Sequence, residues 1–221
     1  MKLTILALTK FMMGACMIAA LLFLPAGTLH WVNGWIFMSV LFIPMFCAGI
    51  VMLVKNPQLL QKRLDAKEKQ SEQKTVIALS SLMFIVGFLL AGFNYRFEWQ
   101  ILPSWITWAA AVIFVFAYAL YAEVLRENTY LSRTIQVQEG QTVVDTGLYG
   151  IVRHPMYAVT LLLFLSMPLI LGSFVSFLIF LTYPFIIAKR IRNEEEVLKK
   201  ELAGYEAYCQ KVRYRLIPGI W

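Results

Sequence analysis

The chain has 221 residues, of which 60% are hydrophobic, 14% aromatic and only 15% charged. This polar content is too low to cover a soluble globule, so the composition indicates an integral membrane protein of one domain. The formal charge of +7 does not indicate nucleic-acid binding, because the basic residues stand at the ends of apolar segments and form no single basic face.

Four apolar runs of spanning length come first. They cover about residues 11–29, 34–54, 76–95 and 104–125, and a helix of roughly 20 apolar residues crosses a bilayer. The first run resembles a secretory signal, but its length and the second run directly after it favour an uncleaved anchor. We expect four transmembrane helices.

A fifth apolar run, residues 156–188, is too long for a single span. At ~1.5 Å per residue it would extend about 50 Å, well beyond a ~30 Å hydrocarbon core. Pro168 and Gly172 interrupt it, and both residue types end helices. We therefore expect a break between residues 168 and 173, and a hairpin of two helices of about fifteen residues each.

Lysine and arginine are unevenly distributed among the loops. All except Arg96 lie in the N-terminal segment, the 55–75 loop, residues 126–155 or the C-terminal region. Because positively charged loops stay in the cytoplasm, both termini should be cytoplasmic. The mixed charges of the 55–75 loop are typical of a solvated helical connector at the headgroups, with substrate gripping as the alternative.

Residues 126–155 differ from the apolar runs in their sequence pattern, which is polar and irregular. Alternation over residues 133–138 predicts a short extended segment, followed by turns at Glu139-Gly140 and within residues 143–147. An irregular polar loop against the membrane usually lines a site in an otherwise helical protein.

Residues 190–208 are rich in helix formers with apolar and acidic side chains at spacings of three and four. They predict a helix that continues the hairpin's second arm out of the bilayer. Residues 208–221 then return to the interface as an aromatic and basic anchor. The three cysteines form no CxxC pair, which favours buried or reduced thiols over disulfides or metal ligands.

Two polar clusters carry the candidate chemistry. His154 lies between an arginine and a proline in a glycine-turn segment and is either structural or ligand-binding. Pro155 suits the first turn of a helix, whose free N–H groups can receive an anion. In the second cluster, Arg190 and Glu194 stand one helical turn apart, as in an ion-paired interfacial helix. Two further glutamates follow and repel one another unless a cation is near, which a ligand could supply.

The chain carries the motif L-Y-G-I-V-R-H-P-M-Y, then the hairpin, then the motif R-I-R-N-E-E-E-V-L-K-K-E-L-A-G-Y-E-A-Y. In this order, these features resemble the isoprenylcysteine carboxyl methyltransferase family of S-adenosylmethionine-dependent membrane enzymes. The resemblance covers roughly residues 126–221. It implies a lipophilic methyl acceptor that enters from the bilayer, and Arg190 as the residue that binds it. The cofactor contacts that it implies are Gln138, Gln141, Thr142, Val143, Val144, Tyr149, His154, Pro155, Met156, Tyr157 and Glu194.

We therefore expect an all-α polytopic membrane protein with four spans in residues 1–125 and a cofactor-binding catalytic half in residues 126–221. The resemblance implies S-adenosylmethionine-dependent methyl transfer to a lipophilic acceptor at the membrane, by carboxyl O-methylation of an isoprenylcysteine-like substrate. A phospholipid amine or a thiol remains open as the acceptor. The stretch Y-C-Q-K-V-R-Y-R-L-I-P also resembles sterol reductases, which use a nicotinamide cofactor. A transporter or scaffold is disfavoured because no charged residue lies at the centre of a span.

Overall fold

The computed structural model describes residues 2–64, 71–100, 102–131 and 137–221, and within these ranges all regular structure is helical. The helices are α1 (Lys2–Ala26), α2 (Val32–Lys55), α3 (Pro57–Leu64), α4 (Ser71–Phe97), α5 (Ser104–Glu127), α6 (Pro155–Ile170), α7 (Phe174–Phe180), α8 (Tyr183–Glu201) and α9 (Tyr205–Lys211). The predicted all-α membrane fold is confirmed.

Five segments are long and apolar enough to cross a membrane: Lys2–Ala26, Val32–Lys55, Lys74–Phe97, Ser104–Glu127 and Phe174–Glu201, with α6 as a shorter apolar helix. The chain is therefore a multi-pass membrane protein. Helix α1 begins nearer the N-terminus than the expected residue 11, because the residues before Lys10 are also good helix formers.

Helix α4 packs closely against its neighbours because two glycines remove side chains from its surface. A Cβ atom at Gly92 would lie 2.6 Å from the main-chain oxygen of Leu22 on α1, and one at Gly87 would overlap the Phe180 ring of α7. The two glycines therefore let α1 and α7 approach the α4 backbone, and α5 packs along α6.

The long apolar run folds back where the sequence predicts. Helix α6 ends at Ile170, and Gly172 takes a left-handed φ of 73° that reverses the chain. The hydroxyl of Ser173 then caps α7 by accepting the Ser176 N–H at 3.2 Å. The predicted break between residues 168 and 173 is confirmed.

The second arm of this hairpin is not one helix of fifteen residues, and that prediction is wrong. Helix α7 has 7 residues and ends at Phe180, and α8 begins at Tyr183. The cause is Pro184. It has no N–H to donate to the Phe180 carbonyl, and its ring crowds that carbonyl. Helix α8 then carries the chain past the apolar residues to Glu201.

The polar end of the molecule is capped by α9 and the residues after it. A single helix over residues 190–208 is not observed, because Gly204 takes a left-handed φ of 83° and separates α8 from α9. The last residues do not act only as a membrane anchor. The N–H groups of Arg153 and His154 donate to the carbonyls of Tyr214 and Arg215, each at 2.9 Å, and so join the tail to the motif segment.

The remaining local predictions have mixed outcomes. The Glu139-Gly140 turn is confirmed by a φ of 70° at Gly140, and part of the 55–75 connector is helical as α3. Residues 132–136, which hold most of the expected extended segment, lie outside the described residues. The cysteines are free thiols, but Cys16 and Cys47 are exposed on helix surfaces and are not buried.

Candidate cofactor and acceptor site

The motif segment before α6 is shaped by a tight turn and a proline. Gly147 opens a 3-10 turn with φ 53°, where a Cβ atom would lie 3.2 Å from the Glu127 carboxyl carbon. Pro155 begins α6, where its missing N–H removes no helical hydrogen bond. His154 directly precedes the helix, so its side chain is free to reach α8.

Glu195 on α8 binds the motif segment and the tail together. Its Oε1 atom accepts from Arg153 Nε at 2.7 Å and lies 3.2 Å from His154 Nε2. Its Oε2 atom accepts from Arg215 Nε at 2.8 Å. Glu195 is only 2% exposed, and a buried carboxylate needs such compensating partners. The sequence offered no reason to separate Glu195 from the two glutamates beside it.

His154 lies between the side chains of Glu194 and Glu195. When Nε2 carries the proton and donates to Glu195, Nδ1 is left as an acceptor. That Nδ1 atom lies 4.0 Å from Glu194 Oε1, too far for a direct hydrogen bond. Glu195 thus orients the imidazole and sets the role of its second nitrogen.

Tyr157 forms hydrogen bonds with both Arg190 and Glu194. The resemblance assigns Arg190 to the methyl acceptor and Glu194 to the cofactor. Arg190 Nε donates to the Tyr157 hydroxyl at 2.8 Å, and that hydroxyl donates to Glu194 Oε2. The Arg190 guanidinium also lies 5.9 Å from the centre of the Tyr157 ring. One buried tyrosine therefore fixes the relative positions of Arg190 and Glu194.

A cleft at the polar end of the hairpin brings most of the predicted site residues together. The empty space within the cleft and its open mouth together is about 820 Å³. The predicted residues that line it are Gln141, Thr142, Val143, Val144, Tyr149, His154, Met156, Tyr157, Arg190 and Glu194.

Two predicted cofactor contacts, Gln138 and Pro155, are not among the residues that line the cleft. The Gln138 N–H donates to the Gln141 side chain at 2.9 Å, and the Gln138 amide donates to the Tyr130 carbonyl. Gln138 thus supports the loop that carries Gln141. Pro155 is buried at the start of α6 and supports its neighbours by fixing the backbone.

Several residues that line the cleft were not predicted. They are Asn128, Tyr130, Leu131, Arg153, Leu198, Leu202, Tyr205 and Tyr208. The spacing of Tyr205 and Tyr208 places both rings on one face of a helix, but it does not show which element that face covers.

Helix α9 forms part of the wall of the cleft and contacts the loop of residues 141–145. Tyr205 and Tyr208 belong to a small apolar cluster that includes Val143. The Tyr208 hydroxyl donates to the Tyr149 carbonyl at 2.8 Å. The Lys211 ammonium group lies 2.6 Å from Asp145 Oδ2, and this hydrogen bond holds the pKa of the Asp145 carboxyl below its usual range.

The relatives of this chain among known proteins include two sterol reductases and one bacterial protein. Delta(14)-sterol reductase TM7SF2 of Mus musculus is 31% identical over 91 residues, which are 40% of this chain and 22% of that protein. The 7-dehydrocholesterol reductase of Arabidopsis thaliana is 26% identical over 82 residues, covering 36% and 19%. The chain thus spans about a fifth of either reductase. Uncharacterized protein YpbQ of Bacillus subtilis (strain 168) is 25% identical over 167 residues, covering 75% and 96%.

The family model for the isoprenylcysteine carboxyl methyltransferase (ICMT) family matches residues 107–200. The matched region starts within α5, includes the motif segment and the hairpin, and ends one residue before α8 does. It contains both polar clusters that carry the resemblance. The match covers less than half of the chain and agrees with the family resemblance predicted from the two motifs.

Proposed function

We propose that this protein transfers a methyl group from S-adenosylmethionine to a lipophilic acceptor at the membrane, by carboxyl O-methylation of an isoprenylcysteine-like substrate. The observation that carries the proposal is the hydrogen-bonded series Arg190, Tyr157 and Glu194 at one cleft. It places an anion-binding group and a carboxylate side by side at the polar end of apolar helices.

The residues of the cleft fit this cofactor. Glu194 offers a carboxylate to a sulfonium cation or to ribose hydroxyls. Val143, Val144 and Tyr149 offer apolar and aromatic surface to a purine. The buried hydroxyl of Tyr205 has no hydrogen-bond partner within the described chain. When bound, S-adenosylmethionine supplies an electrophilic methyl group.

Arg190 provides the acceptor's binding group in this proposal. A guanidinium binds a carboxylate with two parallel N–H donors, which a lysine cannot reproduce. A carboxylate acceptor is already nucleophilic, so the site needs no general base and its work is to position the reactants and exclude water. The donation of Arg190 Nε to Tyr157 keeps the guanidinium plane in place.

The arrangement of the helices supports entry from two phases, with the acceptor arriving from the bilayer and the cofactor from the cytosol. Lys10 on α1 donates to the Leu64 carbonyl at the end of α3, at 2.6 Å. Arg63 lies 5.5 Å from the Tyr121 ring near the end of α5. The N-terminal segment, the connector and the motif segment therefore share one side. The positive charges on that side support a cytoplasmic location for both termini.

Reduction of a sterol-like lipid with a nicotinamide cofactor is a second candidate. The two sterol reductases named above favour it, although the shared region is about a fifth of each protein. The same cleft would then bind a phosphate-bearing dinucleotide. The carboxylate of Glu194 disfavours this function because it would repel the phosphates.

The deciding experiment uses the purified full chain in lipid nanodiscs. Calorimetric titration with S-adenosylmethionine and with NADPH identifies the cofactor. Incubation with methyl-labelled S-adenosylmethionine and N-acetyl-S-farnesylcysteine, phosphatidylethanolamine or an alkyl thiol identifies the acceptor. We expect binding of S-adenosylmethionine and label in the farnesylcysteine. Binding of NADPH alone would support the reductase. Label in the amine or the thiol would overturn the proposed acceptor but would keep S-adenosylmethionine as the cofactor.

A further inference from the structure

The hydroxyl of Tyr205 is buried and has no hydrogen-bond partner among the described residues. Tyr205 is 4% exposed, and its hydroxyl and Asn94 Oδ1 are the two buried side-chain polar atoms within the described ranges that have no partner. Proteins rarely bury a hydroxyl in this way, because the group loses its bonds to water and gains none in return. An unpaired hydroxyl at a binding cleft indicates a ligand that completes it.

The position of Tyr205 supports this interpretation. Its ring packs 5.7 Å from the Tyr208 ring and within the cluster that includes Leu202 and Val212. The residue also lines the cleft shared by His154 and Glu194. Burial raises the pKa of the Tyr205 hydroxyl, so the phenol keeps its proton at physiological pH and acts as a hydrogen-bond donor.

Tyr208 provides a direct comparison within the same helix. It is equally buried and also lines the cleft, but its hydroxyl donates to the Tyr149 carbonyl at 2.8 Å. The protein satisfies one hydroxyl of this pair and leaves the other unsatisfied. The two tyrosines therefore have different roles, since Tyr208 supports the wall of the cleft whereas Tyr205 has a donor to offer.

We propose that the Tyr205 hydroxyl donates a hydrogen bond to an acceptor atom of the bound cofactor, a role that neither the motifs nor the resemblance assigns to it. The inference rests on the proposed function. S-adenosylmethionine and its product S-adenosylhomocysteine both carry carboxylate, ribose and purine acceptors. The matched family region ends at residue 200, so this contact lies in α9, outside the region that identifies the family.

The test compares Tyr205→Phe with Tyr208→Phe, each of which removes one hydroxyl and keeps the ring. Calorimetry with S-adenosylhomocysteine measures affinity, and thermal unfolding without ligand measures stability. We expect Tyr205→Phe to raise the Kd about three- to tenfold while its unfolding midpoint stays at or above that of the parent. Tyr208→Phe should lower the midpoint, because the Tyr149 carbonyl loses its partner.

Two results would overturn the inference alone: an unchanged Kd in Tyr205→Phe, or a lowered midpoint in the unliganded variant, which would show that the hydroxyl is bonded within the protein. Failure of the parent protein to bind either S-adenosylhomocysteine or S-adenosylmethionine would instead overturn the proposed function, and this inference with it.

Discussion

Glu194 and Glu195 are adjacent on α8, but their side chains lie in different surroundings. Glu194 accepts from Tyr157 and lines the cleft, whereas Glu195 is buried between Arg153, His154 and Arg215. Successive residues on a helix point about 100° apart, so the Glu194 carboxylate faces the cleft and the Glu195 carboxylate faces the protein interior. Substitutions at these two positions should therefore have separable effects.

The first prediction concerns stability. Glu195→Gln removes the charge that compensates Arg153 and Arg215, and the loss of one partner from a buried ion pair costs roughly 3 kcal/mol. We expect a clearly lower unfolding midpoint in detergent. Glu196→Gln is the matched control, because Glu196 is exposed on the same helix. Equal midpoints for the two variants would contradict a structural role for Glu195.

The second prediction separates the cofactor from the acceptor. Glu194→Gln should weaken S-adenosylmethionine binding about ten- to a hundredfold, the usual loss for a charge-assisted hydrogen bond of roughly 1.5–3 kcal/mol. Arg190→Ala should leave cofactor affinity near the parent value but strongly reduce methyl transfer. Calorimetry and a labelled-methyl assay measure the two quantities independently.

Arg190→Lys is the control for this division. It keeps the positive charge but loses the planar pair of donors, so only partial recovery of methyl transfer is expected for a carboxylate acceptor. Equal loss of cofactor affinity in the Arg190 and Glu194 variants would indicate instead that the two residues act only as one structural unit through Tyr157.

The third prediction concerns the pH dependence of the loop that holds Asp145. Because Lys211 lowers the pKa of Asp145, their interaction is complete at neutral pH and is lost only as the pH falls through that lowered pKa. Lys211→Met should speed hydrogen exchange over residues 141–147 at neutral pH. The difference from the parent should begin to shrink near about pH 4, the ordinary pKa of an aspartate, and should vanish only below the lowered pKa of Asp145. Lys200→Met, at another exposed lysine, should leave the loop unchanged.

The fourth prediction concerns topology. Gln61 on α3 and Gln100 after α4 are both exposed and lie at opposite ends of α4. Single cysteines at these positions, with the native thiols replaced, should react with an impermeant reagent from opposite sides of the membrane. Residue 61 should be cytoplasmic, where the positive loops are. Labelling of both positions from one side would contradict this topology.

The sequence predicted those parts of the fold and of the candidate site that depend on neighbouring residues in the chain. Gly172 marks the hairpin turn because a left-handed backbone favours glycine. His154, Tyr157 and Glu194 were found because they occur within two motifs of a known family. Pro184 was overlooked, although the same reasoning that identified the turn at Gly172 would have separated α7 from α8.

The parts that were missed depend on distant residues. Glu194, Glu195 and Glu196 look alike in the sequence, and only the rotation of α8 against Arg153 and Arg215 selects the middle one for burial. The contrast between Tyr205 and Tyr208 depends in the same way on the Tyr149 carbonyl, which is far away in the chain. No local pattern carries that information.

The bonds between the motif segment and the tail have a consequence for biogenesis. Arg153 and His154 use their N–H groups to bind the carbonyls of Tyr214 and Arg215, and Arg215 also binds Glu195. Residues 214 and 215 follow all five membrane-spanning segments of the described chain and are therefore synthesised after them. A nascent chain halted before residue 212 lacks these bonds, so the contacts that join the motif segment to the tail form only once residues 214 and 215 have been synthesised.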